Sequence, residues 1–297
     1  MLKVWHGVIR TTSAGGRNVE PMDSRPLIDA SDLAAALAAA TPPVILDVRY
    51  RLDAPDGREA YRAGHVPGAV YVSLDGELAA HAAPGEGRHP LPTPEAFERV
   101  VRRWGIDDGD EVVVYDDWNS FAAARAWWML TDAGVSARVL DGGLRAWRDS
   151  GGRLETGDVV PREGTATVRP GHRPRLDIDE AAALASDGVL LDARAPERYR
   201  GDVEPLDPAA GHIPGARNAP TTENLQPDGR LRPASELRML YADLEGERVG
   251  AYCGSGVTAA HAVLALAVAG HDAALYPGSW SQWSNTPDRP VATGDRP

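Results

Sequence analysis

Short apolar runs alternate with helical patterns along the chain, and this alternation occurs twice. The apolar runs predict strands at residues 44–48, 112–116, 137–140, 189–193, 248–252 and 273–276. Apolar positions at helical spacing predict helices at residues 31–40, 94–104, 120–133, 179–186, 233–243 and 258–269. Strands that are apolar throughout and separated by helices are typical of a parallel sheet covered on both faces. The pattern therefore predicts an α/β fold.

Local signals mark the ends of some of these elements. Ser31 is the predicted N-cap of the first helix, and Pro94 suits the first turn of the second. Glycine and proline are frequent between about 152 and 175, which indicates an ordered connector. Within it, residues 165–168 can pair as a short edge strand.

The sequence also contains an internal duplication. Residues 64–69 (GHVPGA) recur as 211–216 (GHIPGA), and residues 44–49 (VILDVR) recur as 189–194 (VLLDAR). Two further pairs follow in the same order, namely 112–116 with 249–253 and 140–147 with 276–283. Shared landmarks in one order predict two domains of ordinary size. The predicted boundaries are 23–152 for the first domain, 153–175 for a linker and 176–292 for the second domain.

Cys253 is the only cysteine, and it lies between an apolar run and a glycine-rich loop that leads into a helical pattern. Such a loop aims backbone N–H groups inward, and the helix N-terminus adds partial positive charge. Both favour an anionic sulfur, so we interpret Cys253 as reactive rather than as a small buried apolar residue. The first-half counterpart is Asp116, in a loop that lacks glycine and carries a second carboxylate, Asp117. One working domain and one degenerate domain are therefore predicted.

Composition narrows the function classes. The chain of 297 residues is 43% hydrophobic and 25% charged, as expected of a globular protein. Its net charge of −12 argues against nucleic acid as the main partner. A single cysteine excludes an intrachain disulfide and fits a reducing compartment. No stretch is long enough for a membrane span. Residues 2–9 do not form a clear signal h-region, so we expect a cytoplasmic location. We expect no cofactor, and we assign no function to residues 1–22.

These motifs resemble those of the tandem-rhodanese sulfurtransferases. The resemblance rests on the paired GH[VI]PGA motifs, the Asp-x-Arg strand ends, the RAWWM run at 125–129 and the CGSGVTA loop that starts at Cys253. It implies two tandem rhodanese-like domains, each a mainly parallel sheet with helices on both faces. The loop is similar to that of the mercaptopyruvate branch of the family, with the thiosulfate branch as the alternative. Sulfur would be carried as a persulfide on Cys253.

The same resemblance implies roles for further residues. Ser255 would donate to the developing enolate oxygen or relay a proton to the leaving pyruvate, with turn bonding to its own backbone as the alternative. It would act with His65 and Asp56, with Asp53 as the alternative to Asp56. His65 has a twin with no catalytic partner, His212, so a structural role in the turn is equally open. The backbone of the loop would hold the persulfide sulfur through Gly254, Gly256, Val257 and Thr258, although Thr258 can equally serve as the helix N-cap.

A cation is needed for the carboxylate of mercaptopyruvate. Arg198 matches the substrate-binding arginine of the family, and the nearby Arg200 is the alternative candidate. The branch usually has a second arginine just before the second GHIPG motif, whereas residues 203–208 of this chain contain none. The arginine of the Asp-x-Arg motif occurs in both halves, as Arg49 and as Arg194. This duplication favours structural ion pairs.

Other functions fit the sequence less well. A phosphatase or arsenate reductase of this fold needs arginine six positions after the cysteine, where this chain has Ala259. A non-catalytic binding module would not be expected to keep the complete cysteine loop. A metal site lacks clustered ligands, since His81 and His89 resemble residues of a solvated loop.

The sulfur acceptor stays open in the sequence. Cyanide, a small thiol, thioredoxin or a thiolation protein would each serve as sulfur acceptor.

Overall fold

The structure is a computed structural model that describes residues 25–83 and 85–297. Residues 1–22 and the predicted start of the first domain at residue 23 lie outside the described residues. Within the described part, the alternation of apolar runs and helical patterns folds into two α/β units, each around its own sheet.

The first unit is built on a sheet of parallel strands in the order β1-β5-β4-β2-β3. Its strands are β1 (Leu27–Ile28), β2 (Val44–Asp47), β3 (Val70–Tyr71), β4 (Glu111–Tyr115) and β5 (Ser136–Leu140). Its helices are α1 (Ala30–Leu37), α2 (Arg58–Ala63), α3 (Leu74–Glu77), α4 (Pro94–Arg103), α5 (Phe121–Asp132) and α6 (Gly143–Asp149).

The second unit repeats this plan with a parallel sheet in the order β7-β6-β8-β9. Its strands are β6 (Val189–Asp192), β7 (Arg217–Asn218), β8 (Val249–Tyr252) and β9 (Ala274–Leu275). Its helices are α7 (Ile178–Asp187), α8 (Pro196–Arg200), α9 (Ala234–Leu240), α10 (Thr258–Ala269) and α11 (Ser279–Trp283), with short 3-10 turns at Thr221–Asn224 and Ala242–Leu244. The prediction of two parallel-sheet domains with helices on both faces is confirmed.

The two units share one core, in which α5 and α10 pack against each other. Every residue of α5 is buried, and nearly all of α10 is. Helices that are apolar on all sides are stable only when surrounded by protein. Each sheet buries its other face in a separate cluster, beneath α1 and α6 in the first unit and beneath α7 and α11 in the second. The central strands β4 and β8 therefore lead, through the loops at their carboxyl ends, into the two helices of the interface.

Three local predictions are wrong, and in the first two a neighbouring carboxylate makes the competing hydrogen bonds. The N-cap of α1 is Asp29, whose carboxylate accepts from the Asp32 N–H at 2.8 Å, so Ser31 lies inside the helix. Residues 165–168 form no strand, because the N–H groups of Thr165 and Thr167 donate to carboxylates of the first unit. Val257, not Thr258, occupies the N-cap position of α10.

No helix formed by residues 25–83 and 85–297 is long and apolar enough to cross a membrane.

Candidate active site

Cys253 lies at the carboxyl end of β8, directly before the loop that starts α10. Its side chain is buried, and the N–H of Gly256 donates to its Sγ at 3.2 Å. Its own N–H donates to Ser279 Oγ at 3.1 Å, while its carbonyl accepts from the N–H of Trp280 at 2.9 Å. The loop therefore turns around the sulfur and is fixed from behind by the start of α11.

Gly256 allows this turn for two reasons. Its φ is +79°, a left-handed conformation that is accessible mainly to glycine. A Cβ atom at this position would lie only 2.4 Å from the carbonyl oxygen of Pro277. The glycine is thus required by the backbone that aims an N–H group at Cys253.

The loop amides around Cys253 are available to bind an anion. Among the residues that the structure describes, the N–H groups of Gly254, Ser255, Val257 and Thr258 have no hydrogen-bond acceptor. Loop amides followed by a helix N-terminus form a cradle for negative charge.

The first unit shows such a cradle filled. Asp116, the counterpart of Cys253, is fully buried, and its carboxylate accepts hydrogen bonds from four backbone N–H groups at 2.8–2.9 Å. The donors are the amides of Trp118, Ser120, Ala122 and Ala123. Burial raises the pKa of Asp116 to about 6 and the amides oppose that shift, so the group is ionised at neutral pH. The equivalent loop of the second unit therefore has the geometry to hold a negatively charged sulfur.

A hydrogen-bonded chain of three side chains reaches the loop from the first unit. His89 Nδ1 lies 2.8 Å from Ser255 Oγ, and His89 Nε2 lies 3.2 Å from Asp75 Oδ1. Burial, followed by the charge of Arg125, lowers the pKa of His89, whereas Asp75 opposes that shift. His89 is therefore neutral near pH 7 and can exchange a proton with Ser255.

The expected partnership of Ser255 with His65 and Asp56 is wrong in its geometry. His65 is fully buried, stacks on Tyr61 at a centroid distance of 4.1 Å, and faces the carbonyl of Tyr61 through Nδ1. Asp56 accepts instead from the Arg58 N–H and the Tyr71 hydroxyl. Neither Asp56 nor Asp53 contacts a histidine of the described chain in a hydrogen bond.

His212, the counterpart of His65 in the second unit, makes the same local contacts. It stacks on Tyr199 and faces the Tyr199 carbonyl through Nδ1, as His65 does with Tyr61. The GH[VI]PGA histidine thus makes the same stacking and carbonyl contacts in both units. The prediction that His89 belongs to a solvated loop is wrong as well. The prolines at positions 90 and 92 were the available signal in the sequence that His89 lies in an ordered segment, because proline restricts the backbone after His89.

Arg198 lies in the same cavity as Cys253, as the sequence analysis expected for the substrate-binding arginine. Its guanidinium pairs with Glu204 at 2.6 Å and with Asp207 at 3.5 Å. Arg200 points elsewhere and pairs with Asp202 at 2.8 Å. Sequence reasoning missed Arg88, which pairs with Asp207 and lines the cavity from the first unit.

The cavity has a volume of 220 Å³ and is shared by the two units. Its first-unit wall includes Tyr50, Trp118 and Phe121, whereas Thr221 and the cysteine loop belong to the second unit. Apolar walls with a few convergent polar groups are typical of small-molecule sites.

Arg125 connects the components of the site. This fully buried residue donates to the carbonyl of Gly256 at 3.2 Å and to those of Leu78 and His89 at 3.2 and 2.9 Å. Burial lowers its pKa to about 10, and the charge of Cys253 opposes that shift. The guanidinium remains charged at neutral pH and contributes positive potential at the sulfur.

The duplicated Asp-x-Arg motifs form ion pairs, as predicted. Arg49 pairs with Asp47 at 2.6 Å, and Arg194 pairs with Asp192 at 2.5 Å. Both pairs are buried. Their occurrence in both units supports a structural role.

Comparison with known proteins agrees with this geometry. The family model for the rhodanese-like domain matches residues 29–150 and 177–286. SseB of Mycobacterium tuberculosis, provisionally named a thiosulfate sulfurtransferase, is 54% identical over 90% of this chain and 97% of its own. The 3-mercaptopyruvate sulfurtransferase of Escherichia coli is 36% identical over 83% of this chain and 91% of its own.

A solved structure shows the same fold. The crystal structure of SseA from Escherichia coli, described as a 3-mercaptopyruvate sulfotransferase with the rhodanese fold, superposes with a TM-score of 0.76. The sequence identity is 32%, and the match covers 87% of this chain and 100% of that chain. This chain is therefore a sulfurtransferase of the rhodanese family, built from two rhodanese-like domains.

Proposed function

We propose that this sulfurtransferase moves sulfur from 3-mercaptopyruvate to a thiophilic acceptor through a persulfide on Cys253. The observation that carries the proposal is the hydrogen-bonded chain Ser255–His89–Asp75 beside the cysteine loop. A proton relay is useful to a donor whose leaving group must be protonated, and the enolate of pyruvate is such a group.

The first half-reaction moves the donor sulfur onto Cys253. The Cys253 thiolate attacks the sulfur of mercaptopyruvate, an S–S bond forms, and the C–S bond breaks. The electron pair of that bond passes to the pyruvate enolate, which takes up the proton that the donor thiol releases. Ser255, hydrogen-bonded to His89, is placed to deliver this proton. The products are pyruvate and an anionic persulfide on Cys253.

The second half-reaction regenerates the thiolate. An acceptor nucleophile attacks the outer sulfur, and the electron pair of the S–S bond returns to Cys253, so that cyanide becomes thiocyanate. Until then the amides of the cysteine loop, including those of Ser255 and Val257, would hold the outer sulfur, as the amides of the first unit hold the Asp116 carboxylate. A small thiol or thioredoxin would reach Cys253 through the same cavity, where Leu52 and Leu206 are exposed.

Thiosulfate is the second candidate donor, and the name of the relative from M. tuberculosis favours it. Its leaving group, sulfite, departs without needing a proton. The two donors therefore make different demands on the relay. Ser255→Ala should slow turnover of mercaptopyruvate and leave turnover of thiosulfate nearly unchanged.

Two measurements test the proposal. Reduced protein incubated with mercaptopyruvate alone should gain the mass of one sulfur atom, and cyanide should remove that mass and release thiocyanate. Cys253→Ser should show neither event, because an alcohol forms no persulfide and the sequence has no other cysteine. Steady-state kinetics should give the higher kcat/KM with mercaptopyruvate, and a higher kcat/KM with thiosulfate would contradict the choice of donor.

A further inference from the structure

Arg88 belongs to the first domain but is fixed against the second. Its backbone N–H donates to Ser281 Oγ at 3.0 Å. The preceding residue, Gly87, packs so closely that a Cβ atom there would lie 2.4 Å from the carbonyl oxygen of Gly278. The backbone around Arg88 is therefore seated directly on the start of α11, beside the cysteine loop.

The side chain of Arg88 meets that of Arg198 at the residue after Cys253. A Cβ atom built on Gly254 would lie 3.1 Å from Arg88 Nη2 and 3.4 Å from Arg198 Nη1. Both guanidinium groups line the cavity that contains Cys253. Two cations, one from each domain, thus lie beside the residue that follows Cys253, in the cavity that a donor must enter.

Two buried carboxylates hold these cations from the outer side. Asp207, whose side chain is 1% exposed, pairs with Arg88 through Nη1 and with Arg198 through Nη2. Glu204 accepts from Nε and Nη2 of Arg198. Among the hydrogen bonds of residues 25–83 and 85–297, Arg88 Nη2 and Arg198 Nη1 have no acceptor. The two nitrogens nearest the cysteine loop are therefore the ones available to a ligand.

We propose that Arg88 and Arg198 together form the binding site for the carboxylate of the 2-oxo acid donor. This inference rests on the proposed function and deepens it. A carboxylate has two oxygens, and each would receive one charge-assisted N–H bond, from a different domain. Arg88 thereby supplies the second cation that residues 203–208 lack, and the donor can bind only where the two domains meet.

The test compares variants of the two arginines with a matched control. Arg88→Ala should raise KM for mercaptopyruvate by about tenfold to a hundredfold, the equivalent of one lost charged hydrogen bond, and should change kcat little. Arg88→Lys keeps a charge beside Asp207 but has no second nitrogen to reach Gly254, so it should also raise KM even if Arg88→Ala folds poorly. Arg200→Ala, on the same helix as Arg198 but paired with Asp202, should behave as the unmodified protein.

Binding of pyruvate, which carries the same carboxylate but no transferable sulfur, separates this site from the sulfur chemistry. Its dissociation constant, measured by NMR on the Cys253→Ser protein, should rise in the Arg88→Ala background. If pyruvate binding is lost with Arg88 while no sulfur mass ever appears on Cys253, the carboxylate site stands and the proposed function fails. If KM and pyruvate binding respond to Arg198→Ala alone, the role of Arg88 is refuted. A KM that rises for thiosulfate but not for mercaptopyruvate would also refute it, since the site would then bind a sulfur oxyanion.

Discussion

The guanidinium of Arg125 donates to the carbonyl oxygen of Gly256 at 3.2 Å, so that a helix of the first domain supports the cysteine loop of the second. The same side chain donates to the carbonyl of His89 at 2.9 Å. One buried residue thus sets the position of the loop relative to the histidine that contacts Ser255. The proposed catalytic groups therefore come together only at the domain interface, although Cys253 lies within one domain.

Arg125→Lys should therefore weaken both the fold and catalysis. Lysine keeps the charge but lacks the planar fork that reaches several carbonyls at once. Each lost bond from a charged group should lower the unfolding free energy by about 1.5–3 kcal/mol. Urea unfolding and steady-state kinetics measure the two effects. Arg102→Lys is the control, because Arg102 is partly exposed, donates to one carbonyl, that of Ala166, and pairs with Glu98. Unchanged stability and kcat would contradict the bridging role of Arg125.

The two histidines of the first domain should respond differently to the same change. His89→Asn should lower kcat with mercaptopyruvate by about 10²–10⁴-fold, the usual contribution of a general acid–base residue. His65→Asn should lower thermal stability, because it disrupts the stacking on Tyr61, and leave kcat nearly unaltered. Steady-state kinetics, compared at the same fraction of folded protein, distinguish the loss of catalysis from the loss of stability. A large kcat loss in His65→Asn alone would restore the original assignment from sequence.

His89 and His65 also show how far the sequence predicts this protein. The fold was predictable because apolar runs and duplicated motifs are local properties of the chain. The hydrogen bond between His89 and Ser255 joins residues 166 positions apart in different domains, so no local pattern reports it. The catalytic role of His65 was expected from the family resemblance, whereas the duplication of its motif pointed to the structural alternative, and both histidines stack on a tyrosine in the same way. Arg88 was missed for the same reason as His89, since its neighbours in space are remote in sequence.

The pH dependence of kcat/KM with mercaptopyruvate should follow the protonation of His89. Burial lowers the pKa of His89, so activity should persist below the ordinary histidine pKa of about 6.5 and fall only when the imidazole is protonated. The charge of Asp75 raises this pKa and that of Arg88 lowers it. Asp75→Asn should therefore shift the acid limb to lower pH, and Arg88→Met should shift it to higher pH. If the acid limb of the pH profile lies at the same pH in the unmodified protein and in both variants, His89 does not control the profile.

Gly256→Ala should inactivate the enzyme by displacing the loop. The new methyl group would meet the Pro277 carbonyl at 2.4 Å, and the positive φ adds a strain of about 1–2 kcal/mol. Gly270→Ala at the end of α10 is the matched control, because its φ is also positive but a Cβ atom there meets nothing within 4 Å. Both variants should lose stability, and only Gly256→Ala should lose persulfide formation. Equal sulfur loading in the two would show that the loop tolerates the displacement.

The comparison between Asp116 and Cys253 predicts the last effect. The Asp116 carboxylate satisfies four amides at the start of α5, whereas an asparagine side chain has only one acceptor oxygen. Asp116→Asn should therefore lower the unfolding free energy at pH 7 by about 1–3 kcal/mol for each amide left unpaired. Sulfur loading of Cys253 in the folded protein should be unchanged, since Asp116 lies in the other loop. Asp117→Asn weakens a partly exposed pair with Arg51 at 3.1 Å and a longer one with Arg49 at 4.0 Å, and should cost about 0–1 kcal/mol. If the two variants are equally stable in urea, the amides of the first loop do not need an anion. The first loop would then no longer support the proposal that the second loop holds a charged persulfide.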